Sequence, residues 1–149
     1  MNPNRDIDTA KNNEENAAWL LEYITGREIA LTSNEFSDFD FISIRIVGGV
    51  RHVSGIIEYR GRPDTKKTQY PTIVINCAKV VKINEWASLL GVDATFVVKW
   101  ADTEPQWVSL RHTERFKINP NFTRREQART NDRTEPVYEI PVELFKEFK

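Results

Sequence analysis

The chain has 149 residues, which fits one domain able to bury roughly two-thirds of its unfolded surface. Apolar residues make up 40% and charged residues 29%, a soluble globular composition, and no apolar run approaches the ~20 residues that cross a bilayer. The first 25 residues lack a signal-peptide pattern, and the single Cys77 excludes an internal disulfide and a multi-cysteine zinc site, so a cytoplasmic, reducing setting is expected. The net charge of −1 is unevenly spread: residues 1–40 hold nine acids against three bases, and residues 111–133 seven bases against three acids. Such a chain either presents a basic surface to a phosphate backbone or draws its opposite halves together.

In chain order, Ala17, Leu20, Leu21 and Ile24 recur at i, i+3, i+4 and i+7, which predicts a helix from about Thr9 to Thr25, stopped by Gly26. A short apolar piece, Ile29-Ala30-Leu31, leads into a polar loop, Thr32 to Glu35. Asp38 and Asp40 come next, and Asp40 directly opens the apolar run Phe41 to Ile46. An aspartate at a strand entrance is either a site residue or an Asx-turn that satisfies loop N–H groups. Gly48-Gly49 suits a hairpin turn between strands 40–47 and 53–60, because both residues accept positive φ. In the second strand, residues two apart share a side, so Glu58 and Arg60 project together and Tyr59 points away. Pairing across the turn sets the start of the first strand beside the end of the second. Asp40 and Glu58 then meet at one edge of the sheet with Arg60 next to them.

Gly61 to Gln69 reads as a flexible, basic connection whose Lys66 and Lys67 either meet phosphates or sit in a solvated loop. Thr72 to Ile75 is a third, buried strand, and Asn76 an N-cap for a helix from Cys77 to Leu90, ended by Gly91. Ile83, Trp86, Ala87 and Leu90 form its apolar stripe; Lys79 falls on that stripe one turn earlier and Lys82 on its flank. A lysine there either reaches a polar site at the end of the sheet or snorkels to solvent. Thr95 to Trp100 and Gln106 to Leu110 are further strands, joined as a hairpin, and Trp86 and Trp100 are expected in the core. The first three strands are expected to form an antiparallel meander, with helix 77–90 crossing over to the fourth. The tail from His112 carries Arg115, Lys117, Arg124, Arg125, Arg129 and Arg133 with little apolar periodicity, as in a segment that orders on binding. A strand over Val137 to Ile140 and a short helix over Val142 to Phe148 close the chain. There is no Gly-Lys-Ser/Thr phosphate loop and no G-x-G-x-x-G, and His52 and His112 lack metal-ligand spacing with Cys77.

The order Asp40, then Glu58-Tyr59-Arg60, with these flanking elements, resembles the PD-(D/E)xK nuclease superfamily. The resemblance implies a single α/β domain with an α-β-β-β-α-β restriction-endonuclease-like core over about residues 10–110. Its central mixed sheet would be flanked by helices, with an extra strand and a basic C-terminal extension over about 111–149. It implies hydrolysis of DNA phosphodiester bonds with Mg²⁺, or Mn²⁺, held by Asp40 and Glu58. Arg60 stands where the family has lysine. A guanidinium holds phosphate oxygens well but does not accept a proton near neutral pH. Some members carry the functional lysine on the following helix, which makes Lys79 the substitute. The first helix of the family often brings a carboxylate, here Glu14, although the helix dipole alone favours an acid in a first turn. Arg62, Lys66, Lys67, Lys82, Arg124 and Arg125 would supply nucleic-acid contacts. The tail, with Glu135-Pro136-Val137 and Ile140-Pro141-Val142, is similar to that of small phage-encoded members, which implies a bacterial or phage-infected cell. DNA is the expected partner, a homodimer is left open, and no membrane or specific protein partner is indicated. Two other readings remain: an inactive nuclease-like fold that binds nucleic acid, and a small phage factor that engages a host protein.

Overall fold

Gly48 and Gly49 have φ of +58° and +79°, the left-handed values that a two-residue hairpin turn needs, and they join β2 (Phe41–Val47) to β3 (Val50–Arg62). The computed structural model describes residues 16–32, 38–123 and 134–148. A helix over residues 16–25, α1, precedes β1 (Glu28–Leu31), so the apolar piece 29–31 is an edge strand paired antiparallel with β2. After β3 come β4 (Thr72–Asn76), α2 (Cys77–Leu90), β5 (Asp93–Trp100) and β6 (Gln106–Ser109). The tail holds β7 (Lys117–Thr123), β8 (Thr134–Pro141), a 3-10 turn over Val142–Leu144, and β9 (Lys146–Glu147).

The main sheet has six strands in the order β1-β2-β3-β5-β6-β9, antiparallel throughout except for parallel β3 and β5. The mixed sheet flanked by helices matches the expected fold class; the meander does not. β4 leaves β3 and pairs with β8 in a second sheet of order β4-β8-β7. Its Ile73 and Ile75 are buried while Thr72, Val74 and Asn76 are only partly covered, the alternation of a strand with one face on a core. The strand that receives it lies in the basic tail. There Val137 and Ile140 are buried, and the segment expected as a closing helix is a 3-10 turn followed by β9. The connection after β3, expected to be flexible, is held by hydrogen bonds from Ala101 N to Thr65 O (3.0 Å) and from Lys67 N to Asp102 Oδ1 (2.9 Å).

Two cores result. Ala17, Ala18 and Leu21 of α1 cover Phe41, Ile57 and Val97 on one face of the main sheet. On the other face, Val80, Ile83 and Ala87 of α2 pack with Ile56, Phe96, Val98, the second sheet and Phe145. Glu58 and Arg60 share that second face with Ile56, by strand alternation.

α2 forms as its caps predict. The Asn76 side chain accepts from Ala78 N (2.8 Å) and Lys79 N (3.4 Å), and Gly91 adopts φ +67° at the other end. Asn76 Nδ2 also donates to Glu135 Oε2 of β8 at 2.7 Å, fastening the helix start to the second sheet. Asn76→Ala is expected to lower stability by about 1–2 kcal/mol in urea unfolding. An unchanged midpoint would mean that the cap is replaced by water.

Candidate active site

Three elements converge where β2 begins, β3 nears its end and α2 starts. Asp40 N donates to Ile57 O (3.1 Å), and Asp40 Oδ2 accepts from Tyr59 N at 2.8 Å. The carboxylate thus takes the place of the next strand carbonyl and fixes Asp40 against β3. Glu58 is only 3% exposed, and its Oε2 pairs with Lys79 Nζ, brought by the first turn of α2. Its Oε1 is buried without a hydrogen-bond partner among the described residues. Burial pushes the Glu58 pKa up to about 8, helped by the charge of Asp40 and opposed by Lys79. Burial and the neighbouring carboxylate therefore outweigh the lysine. Glu58 thus binds a proton far more readily than an ordinary glutamate, and Oε1, the oxygen turned away from the Lys79 ammonium, is the atom that would carry it.

Lys79 lies on its stripe of α2 with its Nζ at Glu58, the lysine side chain 41% exposed. Arg60 projects to the same side of the sheet as Glu58. Its Nη1 donates to the Val74 carbonyl of β4, and its guanidinium lies 5.2 Å from the Phe96 ring centroid. Arg60 thereby joins the main sheet to the edge of the second one.

Asp38, the neighbouring acid, has a different attachment. Its Oδ2 accepts from Trp86 Nε1 at 2.9 Å, and Lys82 Nζ lies 3.9 Å from Oδ1. Trp86 is therefore not core, as its helical spacing suggests, but 42% exposed, with its ring edge-on to Phe39. Trp100 is buried as expected. Nothing local in the sequence pairs Asp38 with a side chain 48 positions later; only the packing of α2 on the sheet does so.

Arg62, Lys66 and Lys67 line one cleft beyond Arg60, together with Tyr70, which the sequence reading passed over. Lys82 lies with Asp38 on the outer side of α2. Glu14, Arg124 and Arg125 lie outside the described residues. Among the described residues no group of three or more His, Cys, Asp or Glu side chains could hold a metal ion. What the site offers a cation is an Asp-Glu pair. Its oxygen donors suit a hard divalent ion that keeps most of its water, and the unpartnered buried Oε1 is an acceptor that either a proton or a cation must satisfy.

The family described as "Phage putative PDDEXK endonuclease" matches residues 4–148, and the chain belongs to it. No curated protein matches the sequence significantly. Among solved structures, the chain is similar to Hjc, a Holliday junction resolvase from Archaeoglobus fulgidus, with 16% identity and a TM-score of 0.54 over 87% of this chain and 93% of that one. It is also similar to D212, a nuclease from a fusellovirus, with 14% identity and a TM-score of 0.50 over 96% of this chain and 84% of that one. At these identities the likeness is one of fold, and it is the restriction-endonuclease-like fold.

Proposed function

We propose that the protein is a metal-dependent DNA nuclease whose site is Asp40, Glu58 and Lys79. The observation that carries this reading is the buried Glu58, with one oxygen on Lys79 and the other unpartnered beside Asp40. A buried carboxylate with an unsatisfied oxygen costs stability, and carboxylates raised by burial beside a second acid cluster at functional sites. Asp40 and Glu58 would hold the ion, Mg²⁺ or Mn²⁺. When bound, it supplies positive charge for the scissile phosphate and acidifies water. The chain's own residues do the rest. The Tyr59 N–H aims the Asp40 carboxylate, and the Glu58 proton leaves when the site takes up a cation. Lys79, half open to solvent, faces an incoming phosphate with a charge that can also exchange a proton, which Arg60 cannot readily do. Arg60 holds β3 against β4 and lends its charge to the same side of the sheet.

The substrate to screen first is branched DNA, beside single-stranded and duplex DNA, because the neighbour Hjc is named as a Holliday junction resolvase. Action in a bacterial or phage-infected cytoplasm, with pairing of two copies to cut two strands, belongs to the same reading. Calorimetry with Mg²⁺ is expected to show binding to the wild type and none to the double variant Asp40→Asn, Glu58→Gln. Equal binding by both proteins would move the metal site elsewhere. Intact DNA of all three kinds in Mg²⁺ and in Mn²⁺ would favour the reading as a nucleic-acid-binding fold without catalysis.

A further inference from the structure

Past the end of β3 lies a cleft with an unusual lining. Arg62, Lys66 and Lys67 border it, and among the described residues no acid does. Among the described residues, the ion pairs Arg51–Glu28, Lys79–Glu58 and Lys82–Asp38 use none of these three cations. Three rings stand in its otherwise largely aliphatic walls: Tyr70, which is 58% exposed, Phe122 of β7, and buried Trp100, whose ring lies 5.9 Å from Lys67 Nζ. Val74, whose carbonyl holds Arg60, also lines the cleft. Arg62 follows Glu58 by four residues along one strand, ~13 Å of chain.

A cleft that exposes the Tyr70 ring beside three cations in no carboxylate pair among the described residues is complementary to a ligand that is both flat and anionic. Duplex DNA meets the anionic half of that description only, since its bases are stacked inside. An unpaired nucleotide meets both, with its base on an aromatic ring and its phosphates on the cations. We propose that this cleft takes an unpaired nucleotide of the DNA strand, next to the bond to be cut, so that the protein selects DNA with single-stranded or splayed nucleotides beside the scissile phosphate. The inference names the substrate class of the site proposed above and rests on that reading. Tyr70 supplies the stacking face, because Trp100 is buried and already covered by Lys67; Arg62 and Lys66 supply the phosphate contacts.

The test is a fluorescence-anisotropy titration of the full chain in EDTA, where no strand is cut, against a single-stranded oligonucleotide and a blunt duplex. Tyr70→Ala is expected to weaken single-strand binding roughly tenfold and leave duplex binding unchanged, with Tyr70→Phe restoring the wild-type value. Lys66→Gln is expected to lower the salt slope of single-strand binding by about one. Equal effects of Tyr70→Ala on both DNAs, or none on either, would overturn the proposal. So would displacement of the strand by a millimolar deoxynucleoside monophosphate, which would make the cleft a free-nucleotide pocket. Because the assay involves no cleavage, loss of the nuclease reading would instead show as uncut DNA in Mg²⁺ with the Tyr70 effect intact.

Discussion

Glu58→Gln is expected to have two opposite effects: loss of metal-dependent cleavage and a gain in stability of the metal-free protein above neutral pH. The second follows from the site's electrostatics. Unfolded, Glu58 ionises near 4.5; in the fold, burial and Asp40 raise that to about 8. Between these values the folded chain holds one proton more than the unfolded chain. Stability from this group is therefore fully present below pH 4.5 and is lost as pH rises toward 8, by about 1.4 kcal/mol per pH unit. Glutamine has nearly the same shape and no charge, and its NH₂ can stand where the Glu58 proton stands, donating toward Asp40 while its oxygen faces Lys79.

Calorimetric melting in EDTA should show wild-type stability falling from pH 5 to 8, and a flatter profile for the variant. Parallel profiles would place the Glu58 pKa near its ordinary value and remove the electrostatic argument for the site. Cleavage by the variant is expected to drop by at least ~10³-fold, the several kcal/mol that a correctly held cation supplies. A variant that is stabilised but still cuts would separate the two claims, leaving Glu58 as a buried acid beside a site formed by other residues.

The parts of this site that are legible in the sequence are those set by short-range geometry. Alternation along β3 puts Glu58 and Arg60 on one side, two glycines fix the hairpin, and the turn places Asp40 opposite Glu58. The caps and stripe of α2 aim Lys79. What is not legible depends on partners far along the chain. β4 has the apolar alternation of any half-buried strand, and nothing within it says that its neighbour is β8, across more than sixty residues, and not β3. The register Ile75 to Tyr138 is set by the second core, which Phe116, Ile140 and Phe145 complete from the tail. That tail reads as a binding segment because its bases come with little apolar periodicity before Val137, yet a few buried side chains suffice for an edge sheet. Trp86 shows the limit of periodicity: at the edge of the helix stripe, the hydrogen bond to Asp38 decides where the indole lies.

Lys79→Ala is expected to reduce cleavage by 10²- to 10⁴-fold, the usual range for removing a positioned acid–base group, while DNA binding changes less than about tenfold. Lys79 is one cation among several near the site, so its phosphate contact alone adds little affinity. Its withdrawal also removes the one influence that lowers the Glu58 pKa, so the acidic limb of any residual pH–rate profile should move upward. Lys79→Arg divides the two roles. It keeps the charge beside Glu58 Oε2 but handles no proton near neutral pH, so recovered activity would assign Lys79 to charge stabilisation and continued loss to proton transfer. A further variant addresses the arginine in the family motif. Adding Arg60→Lys to Lys79→Ala puts a lysine back in the strand position that the superfamily uses. No rescue is expected, because the side chain at 60 is directed to the Val74 carbonyl and the Phe96 ring, where a shorter ammonium would lose the bridge between the two sheets without reaching the place of Lys79. Rescue would return the lysine role to the strand and make the α2 lysine a mere counter-charge for Glu58.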